Sequence, residues 1–277
     1  MKIILTAKPD YGSYSIEAGY ADNTKHFDHH GEYSEYPSPC NNSNIPNISV
    51  LPNTADAYCE ITHIDADTFV GLLRLYGCFL PSIDLNLLEG MDTYGTFGYR
   101  TDTDTYYYKA GIGQLSRNLL FPRCTDEPQP VTRFVQRMMW TPESEIITIG
   151  KHLTQEQYSI MYRALMRHGE RMIVGLWGLS NDVSFDPNLA YHFGYAIVIV
   201  WRQAYKNISI YCHPHIRYEF AGKTIAGVQF AGHPKACGSP RGMAIDVNLA
   251  REIFEAVRAE CEPELQPPFH AFGKLSR

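Results

Sequence analysis

A strand followed directly by a helix, with acidic and imidazole side chains at the junction, constrains the fold of this chain more than any other stretch. Residues 59–64 have the short apolar pattern of a strand, and residues 66–76 have the apolar spacing of a helix. His63, Asp65 and Asp67 then fall on the turn between them, at the carboxyl end of a strand. Open α/β sheets bind their ligands at this edge. The sequence therefore predicts an α/β fold with a polar site at one end of a sheet.

A second cluster of the same chemistry lies upstream, at Asp28-His29-His30. Imidazole nitrogen favours transition metals, and carboxylates supply negative charge for two ions, so the donor set suits Mn²⁺, Fe²⁺, Co²⁺ or Zn²⁺ better than Ca²⁺. Asp65 and Asp67 alternate along the turn, so in an extended turn their side chains point the same way. We interpret the two clusters together as a two-metal hydrolytic site.

Each cluster also has a purely structural interpretation. Asp67 followed by Thr68 can cap a helix, and a single His63 can be a core histidine. Asp28-His29-His30 can be a pair of exposed loop histidines. The occurrence of two such clusters in one chain favours the metal interpretation. Cys212-His213-Pro214-His215 has no matching second pair of ligands, and we interpret it as a turn rather than a zinc site.

Length, charge and cysteine usage narrow the class of protein. A chain of 277 residues with 44% hydrophobic residues has room for two domains joined by a cleft. A net charge of −6 argues against a long duplex nucleic acid as partner, because such binding depends on many Lys and Arg side chains. Seven cysteines without a C-x-x-C pair are expected to be reduced and mostly buried. The lack of an 18-residue apolar run and the strand pattern at residues 1–6 predict no membrane partner and a cytoplasmic protein.

The pattern along the chain suggests three parts. Residues 1–121 are predicted to form a metal-binding catalytic domain with a parallel sheet. Residues 122–168, which contain four prolines, are predicted to form a linker and a bridging helix. Residues 169–277 are predicted to form a smaller α+β domain that ends in a helix over 247–259, capped by Asp246. Within the first part, the tyrosine-rich run 99–109 is either a platform for stacking bases or an exposed β-ribbon, and we favour the ribbon.

A third candidate element, near the other end of the chain, is Gly232-His233 together with Lys235 and Arg241. It follows a predicted strand, and the small residues around it allow backbone N–H groups to approach a phosphate closely. Lys235 and Arg241 are candidate partners for phosphate charge. The alternative is a simple turn.

These three elements resemble the DHH phosphoesterase superfamily, and the stretch from Ser15 to His30 is similar to its MYG-type exonuclease branch. The likeness covers roughly residues 15–100 and 220–245. In that superfamily the Asp-His-His and His/Asp-x-Asp motifs carry two metals, and a C-terminal DHHA1-type domain contributes a glycine-histidine loop that holds the substrate. The resemblance implies an N-terminal parallel-sheet domain, a smaller C-terminal α+β domain and an active site in the cleft between them.

The resemblance also implies roles for individual residues. Asp28 would orient an imidazole, and His30 would contact the phosphoryl group or protonate the leaving oxygen. The ions would be Mn²⁺ first, with Mg²⁺, Co²⁺, Fe²⁺ or Zn²⁺ as alternatives. The implied metal ligands are His29, His63, Asp65, Asp67 and Asp92, completed by a bridging Glu17 or Asp22. The implied substrate-binding residues are Gly232, His233, Lys235 and Arg241.

The sequence departs from the family pattern at three points. Asp28-His29-His30 precedes the His63 motif, so the chain would be circularly permuted, which surface termini allow. His63 stands two residues before Asp65 rather than four. Glu17 occupies the place of a bridging Asp, and its longer arm would shift the ions.

The function implied is a divalent-metal-dependent phosphodiesterase for short oligonucleotides or (cyclic di)nucleotides. One alternative is a single-strand-specific 5′–3′ exonuclease. Two alternatives of other classes are a nucleotide- or metal-binding module without turnover and a metallohydrolase that acts on a non-phosphate bond. The expected partner is a short oligonucleotide or nucleotide, and a homodimer is an arrangement that the sequence allows.

Overall fold

The computed structural model describes residues 1–51, 57–93, 99–117, 119, 127–168, 174–179, 196–202, 207–213, 216–240 and 243–261. The chain divides into two compact units, Met1–Thr154 and Gln155–Arg277. Both contain helices and a sheet, so the predicted mixed α/β class is confirmed. No helix in the described part of the chain is long and apolar enough to cross a membrane.

The sheet of the first unit is parallel over four of its five strands. Its strands are β1 (Lys2–Leu5), β2 (Tyr14–Ile16), β3 (His26–Phe27), β4 (Tyr58–Ile61) and β5 (Gln129–Pro130). They are arranged in the order β3-β2-β4-β1-β5, with β5 antiparallel to β1 at one edge. Every other pairing is parallel, so β1 to β4 all end at the same edge of the sheet.

The β1–β2 connection passes over β4, because β4 lies between those two strands in the sheet. Glu60 on β4 is almost fully buried, and its carboxylate accepts hydrogen bonds from the backbone N–H groups of Asp10 (3.0 Å) and Tyr11 (2.7 Å). A buried carboxylate needs such donors. Glu60 therefore anchors this connection to the sheet beneath it.

Five helices accompany this sheet. They are α1 (Ala66–Leu75), α2 (Leu85–Thr93), α3 (Asp104–Ser116), α4 (Thr132–Met139) and α5 (Glu143–His168). The predicted helix that follows the acidic turn is α1, and nearly all of its residues are buried. A Cβ atom at Gly71 of α1 would lie 2.8 Å from the side chain of Pro39 and 3.2 Å from that of Ile16 on β2. Gly71 thus lets α1 approach the sheet closely.

Two local expectations from the sequence of the first unit are wrong. The β-branched Ile48 and Val50 favour a strand over residues 48–51, but Ile48–Val50 is a 3₁₀ turn in which the Ser49 N–H donates to the Asn47 side chain. The run 99–109 was expected to be an exposed ribbon, but most of it belongs to α3. The Thr103 hydroxyl caps α3 by accepting from the Tyr106 N–H, and burial of the Tyr106 ring in the core overrides the β propensity of the run. It is not an exposed aromatic platform either.

The predicted linker, residues 122–168, contains β5, α4 and α5. β5 pairs with the edge strand β1. Val131, Val135 and Met138 are buried in the same core as β1, so α4 packs into the first unit. Of α5, residues as far as Thr154 also belong to the first unit.

Helices α3 and α5 touch through their backbones, which gives the first testable prediction. A Cβ atom at Gly111 of α3 would lie 2.1 Å from the Ile146 carbonyl oxygen of α5, whereas one at Gly113 meets nothing within 4 Å. We expect Gly111→Ala to lower the free energy of unfolding by about 3 kcal/mol, because a backbone cannot yield locally. Gly113→Ala, two residues away, should raise it by about 0.5–1 kcal/mol. Urea denaturation followed by circular dichroism measures both, and equal shifts would contradict the close approach.

The described residues of the second unit contain the rest of α5, seven strands and one further helix. These strands and this further helix are β6 (Val174–Leu179), β7 (Ile197–Arg202), β8 (Asn207–Cys212), β9 (Thr224–Ile225), β10 (Val228–Gln229), β11 (Ala231–His233), β12 (Ala236–Gly238) and α6 (Val247–Cys261). Five strands form a sheet in the order β11-β12-β8-β7-β6, in which only the β6–β7 pairing is parallel. β9 and β10 form a separate antiparallel hairpin.

Helix α6 begins as predicted. The Asp246 carboxylate accepts from the N–H groups of Asn248 and Leu249, both at 2.9 Å. One face of α6 buries Ile253 and Val257 against the sheet. The six cysteines that lie in the described residues are free, and five of them are buried, in agreement with the prediction.

Candidate metal centre

The carboxyl ends of three parallel strands bring the predicted ligands together. Glu17 follows β2, Asp28-His29-His30 follows β3, and His63 and Asp65 follow β4. Asp92 reaches the same place from the last turn of α2. Successive parallel strands place their ends side by side, which explains how residues so far apart in sequence become neighbours.

Glu17 lies at the middle of this cluster and is 3% exposed. Its Oε1 lies 3.2 Å from His29 Nε2, and its Oε2 lies 3.2 Å from His63 Nε2. The Thr68 hydroxyl also donates to Oε2, at 2.8 Å. Each carboxylate oxygen of Glu17 therefore faces a different histidine.

The backbone of Glu17 adopts a left-handed conformation, with φ of 50°. Such a conformation is costly for a residue with a side chain. Two backbone hydrogen bonds hold Glu17 in this conformation. Its N–H donates to the Phe27 carbonyl (2.8 Å), and its carbonyl accepts from the Thr62 hydroxyl (2.6 Å). These bonds turn the carboxylate inward, between β3 and β4.

One group of potential ligands comprises Glu17, His29, His30 and Asp92, whose ligand atoms all lie within 4.8 Å of one another. His29 Nε2 is 2.8 Å from Asp92 Oδ2, and His30 Nε2 is 3.9 Å from the same oxygen. Two imidazoles and two carboxylates form a donor set that a divalent transition metal accepts. We call this group position A.

A second group comprises Glu17, His63 and Asp65, again within 4.8 Å. His63 Nε2 lies 3.3 Å from Asp65 Oδ2. The other oxygen of Asp65 accepts from the Thr68 N–H at 2.9 Å, so the N-cap of α1 is Asp65 and not Asp67. This group is position B, and it shares Glu17 with position A.

Asp67 is buried beside position A without belonging to either group. Its Oδ1 accepts from the Ser38 hydroxyl and from the Cys40 N–H (2.8 Å), while its Oδ2 lies 3.8 Å from His29 Nε2. Burial, followed by the negative charge of Glu17, raises the pKa of Asp67 well above its ordinary value. Without metal, this shift favours the neutral, protonated form of Asp67 next to position A.

The residues present fit a metal ion. Carboxylates of Glu17, Asp67 and Asp92 converge on the single atom His29 Nε2, at 3.2, 3.8 and 2.8 Å. One N–H proton cannot satisfy three acceptors, and the buried Glu17 Oε1 and Asp67 Oδ2 have no well-aligned hydrogen-bond donor among the described residues. Unpaired buried carboxylate oxygens are expensive. A bound divalent cation would remove that cost, so the cluster can hold a metal ion.

Hydrogen bonds select the nitrogen that His63 offers. The Thr62 hydroxyl gives its one proton to the Glu17 carbonyl, so toward His63 Nδ1, 3.0 Å away, it acts as an acceptor. His63 Nδ1 therefore carries a proton, and Nε2 is the nitrogen directed at Glu17 and Asp65. This is the arrangement in which a neighbouring group fixes the tautomer of a metal-binding histidine.

A second prediction follows for Thr62. Thr62→Val keeps the shape of the side chain but removes the acceptor for His63 Nδ1, so we expect metal affinity at position B to fall about 10- to 100-fold. Thr62→Ser retains the hydroxyl and should bind metal like the wild type. Mn²⁺ titration followed by electron paramagnetic resonance measures both variants. Equal loss in Val and Ser variants would show that bulk, not the hydrogen bond, matters here.

The charges of the metal-free cluster follow from these contacts. Burial alone would lower the pKa of His29, but its hydrogen bonds with Asp92 and Glu17 outweigh burial and raise that pKa to about 11. Burial opposes the charged form of Glu17, yet hydrogen bonds from His29 and His63 hold its pKa well below the ordinary value. Burial also raises the pKa of Asp92 to about 6. Protonated histidines thus balance part of the carboxylate charge when no metal is bound.

Asp28 and His30 form a pair at the rim. The buried Asp28 carboxylate accepts from the Gly19 N–H (2.7 Å), from the His30 N–H (2.8 Å) and from His30 Nδ1 (3.1 Å). The His30 side chain is 57% exposed. Since Nδ1 is held by Asp28, Nε2 is the nitrogen that His30 presents to a metal or a substrate.

The alternative bridging residue, Asp22, is elsewhere. Its Oδ1 accepts from the N–H groups of Thr24, Lys25 and His26 at 2.8, 2.9 and 3.0 Å. These backbone hydrogen bonds outweigh partial burial and lower the pKa of Asp22. Asp22 stabilises the turn between β2 and β3 and is outside both metal positions.

The predicted substrate-binding residues lie in the second unit, on the hairpin of β11 and β12. Gly232 has φ of 130°, and a Cβ there would lie 2.9 Å from the Ala236 carbonyl oxygen. His233 is exposed. The Lys235 ammonium lies 2.6 Å from the Ile216 carbonyl oxygen and 3.2 Å from that of Tyr218. It also lies 3.3 Å from the Glu219 carboxylate, so all three of these partners belong to the second unit itself. Arg241 is outside the described residues.

Sequence reasoning missed three hydroxyl groups that support the cluster. Thr62 and Thr68 hold Glu17, and Ser38 holds Asp67. Thr62 stands next to His63 in the sequence, which is a weak signal. For Ser38 there is none, because its contact spans 29 residues.

Comparisons with known proteins add little to this site. No protein-family model and no curated protein match the chain. Among solved structures, it is similar to PggH, a pGpG-specific phosphodiesterase from Vibrio cholerae, with 12% identity, a TM-score of 0.38 and coverage of 76% of this chain and 79% of that chain. It is also similar to an uncharacterized protein from Helicobacter pylori G27, with 12% identity, a TM-score of 0.25 and coverage of 74% and 69%. TM-scores below 0.5 do not define a shared fold, so function has to be inferred from the site's own residues.

Proposed function

We propose that this protein is a metal-dependent phosphodiesterase that hydrolyses short oligonucleotides or (cyclic di)nucleotides with two divalent ions. The observation that carries the proposal is the position of Glu17, which directs one carboxylate oxygen toward position A and the other toward position B. A carboxylate that can serve two metal positions suits a two-metal hydrolytic site. The resemblance of Asp28-His29-His30 to the DHH motif supplies the substrate class.

Charge supports two ions rather than one. Four carboxylates lie within 4 Å of the His29 or His63 imidazole, those of Glu17, Asp65, Asp67 and Asp92. When ionised, these four match the charge of two divalent cations, and Asp28 adds a fifth carboxylate behind His30. The mixture of imidazole and carboxylate favours Mn²⁺, with Mg²⁺, Co²⁺, Fe²⁺ and Zn²⁺ as alternatives.

The protein's own residues have distinct roles in this proposal. Two bound divalent ions would supply a nucleophilic water and neutralise charge on the phosphoryl oxygens. Glu17 sets the spacing of the two positions. Asp28 holds Nδ1 of His30, which leaves the exposed Nε2 side to contact the phosphoryl group or to protonate the leaving oxygen. Asp28 is a positioning residue, and His30 is the catalytic one.

For the second unit we propose a substrate-binding role of the β11–β12 hairpin. Its support is the resemblance at Gly232-His233 and the exposure of His233. The contacts of the Lys235 ammonium with Ile216, Tyr218 and Glu219 favour a structural role for Lys235. The phosphate-binding role that we expected of Arg241 remains a prediction.

The test is metal analysis of the purified protein together with hydrolysis of an end-labelled dinucleotide and a long single strand in Mn²⁺. We expect about two ions per chain and faster release of mononucleotides from the dinucleotide. Asp92→Asn should abolish hydrolysis, whereas Asp22→Asn, the same change at the carboxylate outside the cluster, should retain it. Faster cleavage of the long strand would favour the exonuclease.

Bound metal without cleavage of either substrate would favour a binding module or a different scissile bond. Absence of bound metal in a folded protein, or full activity of Asp92→Asn, would overturn the proposal.

A further inference from the structure

Three tyrosines and one histidine form a cluster of rings beside the metal centre. Tyr20 is central, with its ring centroid 5.3 Å from that of Tyr11, 5.3 Å from that of His26 and 5.9 Å from that of Tyr33. Tyr11 and Tyr20 are 37% and 38% exposed, whereas His26 is buried. We call these four residues the tyrosine cluster. It presents aromatic surface to solvent above a buried ring.

The first two tyrosines are tied to the segment that carries Glu17. The Tyr11 hydroxyl donates to the carbonyl of Ala18, the residue after Glu17, at 3.1 Å. Tyr20 follows Gly19, whose N–H donates to the Asp28 carboxylate at 2.7 Å. The cluster is therefore anchored one or two residues from the shared ligand and from the carboxylate that orients His30.

Tyr33 is tied to the segment that carries His30. It ends the 3₁₀ turn Gly31–Tyr33 that directly follows His30, and its N–H donates to the His30 carbonyl at 3.2 Å. Its ring meets that of Tyr20 edge to face, at an interplanar angle of 82°. Edge-to-face packing of this kind holds rings in fixed orientations.

The backbone of Tyr11 adopts a strained conformation that places its ring in the tyrosine cluster. Its φ is 58°, a left-handed conformation that residues other than glycine rarely adopt. The Tyr11 N–H bond to Glu60 (2.7 Å) and the Tyr11 hydroxyl bond to Ala18 hold it there. Beneath the exposed tyrosines, Nδ1 of His26 lies 3.0 Å from the Ser15 hydroxyl, and this contact fixes the orientation of the buried His26 ring. Strained residues held by surrounding contacts are concentrated at ligand-binding sites.

We propose that the tyrosine cluster, and Tyr20 above all, stacks a nucleobase of the substrate next to the phosphate held at the metal centre. The inference rests on the proposed function and deepens it, because it makes a base-bearing phosphoester the substrate class. An aromatic ring stacks on a base without any positive charge, and the metal centre beside this surface is rich in carboxylates. Stacking is therefore a mode of base binding that suits this surface. No role has been assigned above to these exposed rings.

The test compares two probes that differ only in the base, AMP and ribose 5-phosphate, by calorimetry on the Mn²⁺-loaded protein. We expect AMP to bind about 5- to 140-fold more tightly, the range that stacking of one base provides. Tyr20→Ala should reduce AMP affinity by a similar factor and leave ribose 5-phosphate affinity unchanged. Tyr20→Phe retains the ring and should retain the preference. Trp140→Ala, at an exposed aromatic residue outside the cluster, should change neither affinity.

The outcomes separate this inference from the proposed function. Equal affinities for the two probes, or an AMP preference that survives in both Tyr20→Ala and Tyr33→Ala, would overturn the base site even if dinucleotides are hydrolysed. An AMP preference that depends on Tyr20, in a protein that hydrolyses no phosphodiester, would uphold the base site and reject the hydrolase. Bound Mn²⁺ in each variant serves as the control for folding, and Tyr33→Ala replaces Tyr20→Ala if the latter loses metal.

Discussion

Replacing Glu17 with glutamine should empty both metal positions at once and lower kcat/KM for a dinucleotide by roughly 10³-fold or more. The reason is that each oxygen of this carboxylate faces a separate group, His29 at position A and His63 at position B. Glutamine has nearly the same shape but lacks the negative charge that both ions need. Metal content should fall from about two ions per chain to less than one, as measured by inductively coupled plasma mass spectrometry after dialysis.

The matched control is Glu60→Gln, at the other buried glutamate of this sheet. Glu60 accepts hydrogen bonds from backbone N–H groups of Asp10 and Tyr11, and the amide oxygen of glutamine can still accept one. This variant should keep its two ions and its activity, with some loss of stability. Asp65→Asn should remove the ion at position B alone. A Glu17→Gln variant that keeps two ions would show that the two positions do not share this ligand.

Metal affinity should rise steeply with pH between 6 and 8. The metal-free cluster raises the pKa of His29 to about 11 and that of His63 well above its ordinary value, so both imidazoles are protonated in this range. Each ion has to displace such a proton. Affinity at each position should therefore increase about tenfold per pH unit for each proton displaced, or about 10⁴-fold in the product of the two affinities from pH 6 to 8. Asp92, whose pKa is raised to about 6, also loses its proton as the pH rises, which acts on metal affinity in the same direction.

The stability of the metal-free protein, in contrast, should fall as the pH rises from 6 to 8. A histidine whose pKa is raised on folding stabilises the fold fully below its unfolded value of about 6.5, and this contribution disappears as pH rises toward the folded value. The gain in Tm on adding Mn²⁺ should consequently be larger at pH 8 than at pH 6. Calorimetry in two buffers of different ionisation enthalpy counts the protons released. An affinity that is constant from pH 6 to 8 would refute the proton displacement.

The local part of the candidate site was accessible from sequence. Spacing alone placed His63, Asp65 and Asp67 between a strand and a helix. The structure has that strand, turn and helix, with His63 and Asp65 on the turn, but Asp67 lies in the first turn of α1. The resemblance left the bridging ligand as Glu17 or Asp22. That choice depends on a left-handed residue and on two hydrogen bonds to distant strands, which no local pattern encodes.

The error at residues 99–109 has a clear physical origin. The run 99–109 has threonines and tyrosines of high β propensity, but the Thr103 cap and the burial of Tyr106 and Tyr108 make it helical. The β propensity of individual residues is a weak guide where side-chain packing determines the secondary structure. The exposed rings of Tyr11 and Tyr20 lie in loops that bear no periodic pattern.

The place of β4 between β1 and β2 determines the order in which the centre can form. Among the four parallel strands β4 is the last in the chain, yet β1 and β2 both pair with it and not with each other. Until β4 inserts, β1 has no parallel partner, and Glu17 can meet only the histidines that follow β3. Pairings of this kind span tens of residues and make folding slow. Position B therefore cannot form before β4 has joined the sheet, so uptake of its ion reports that β4 has paired with β1 and β2.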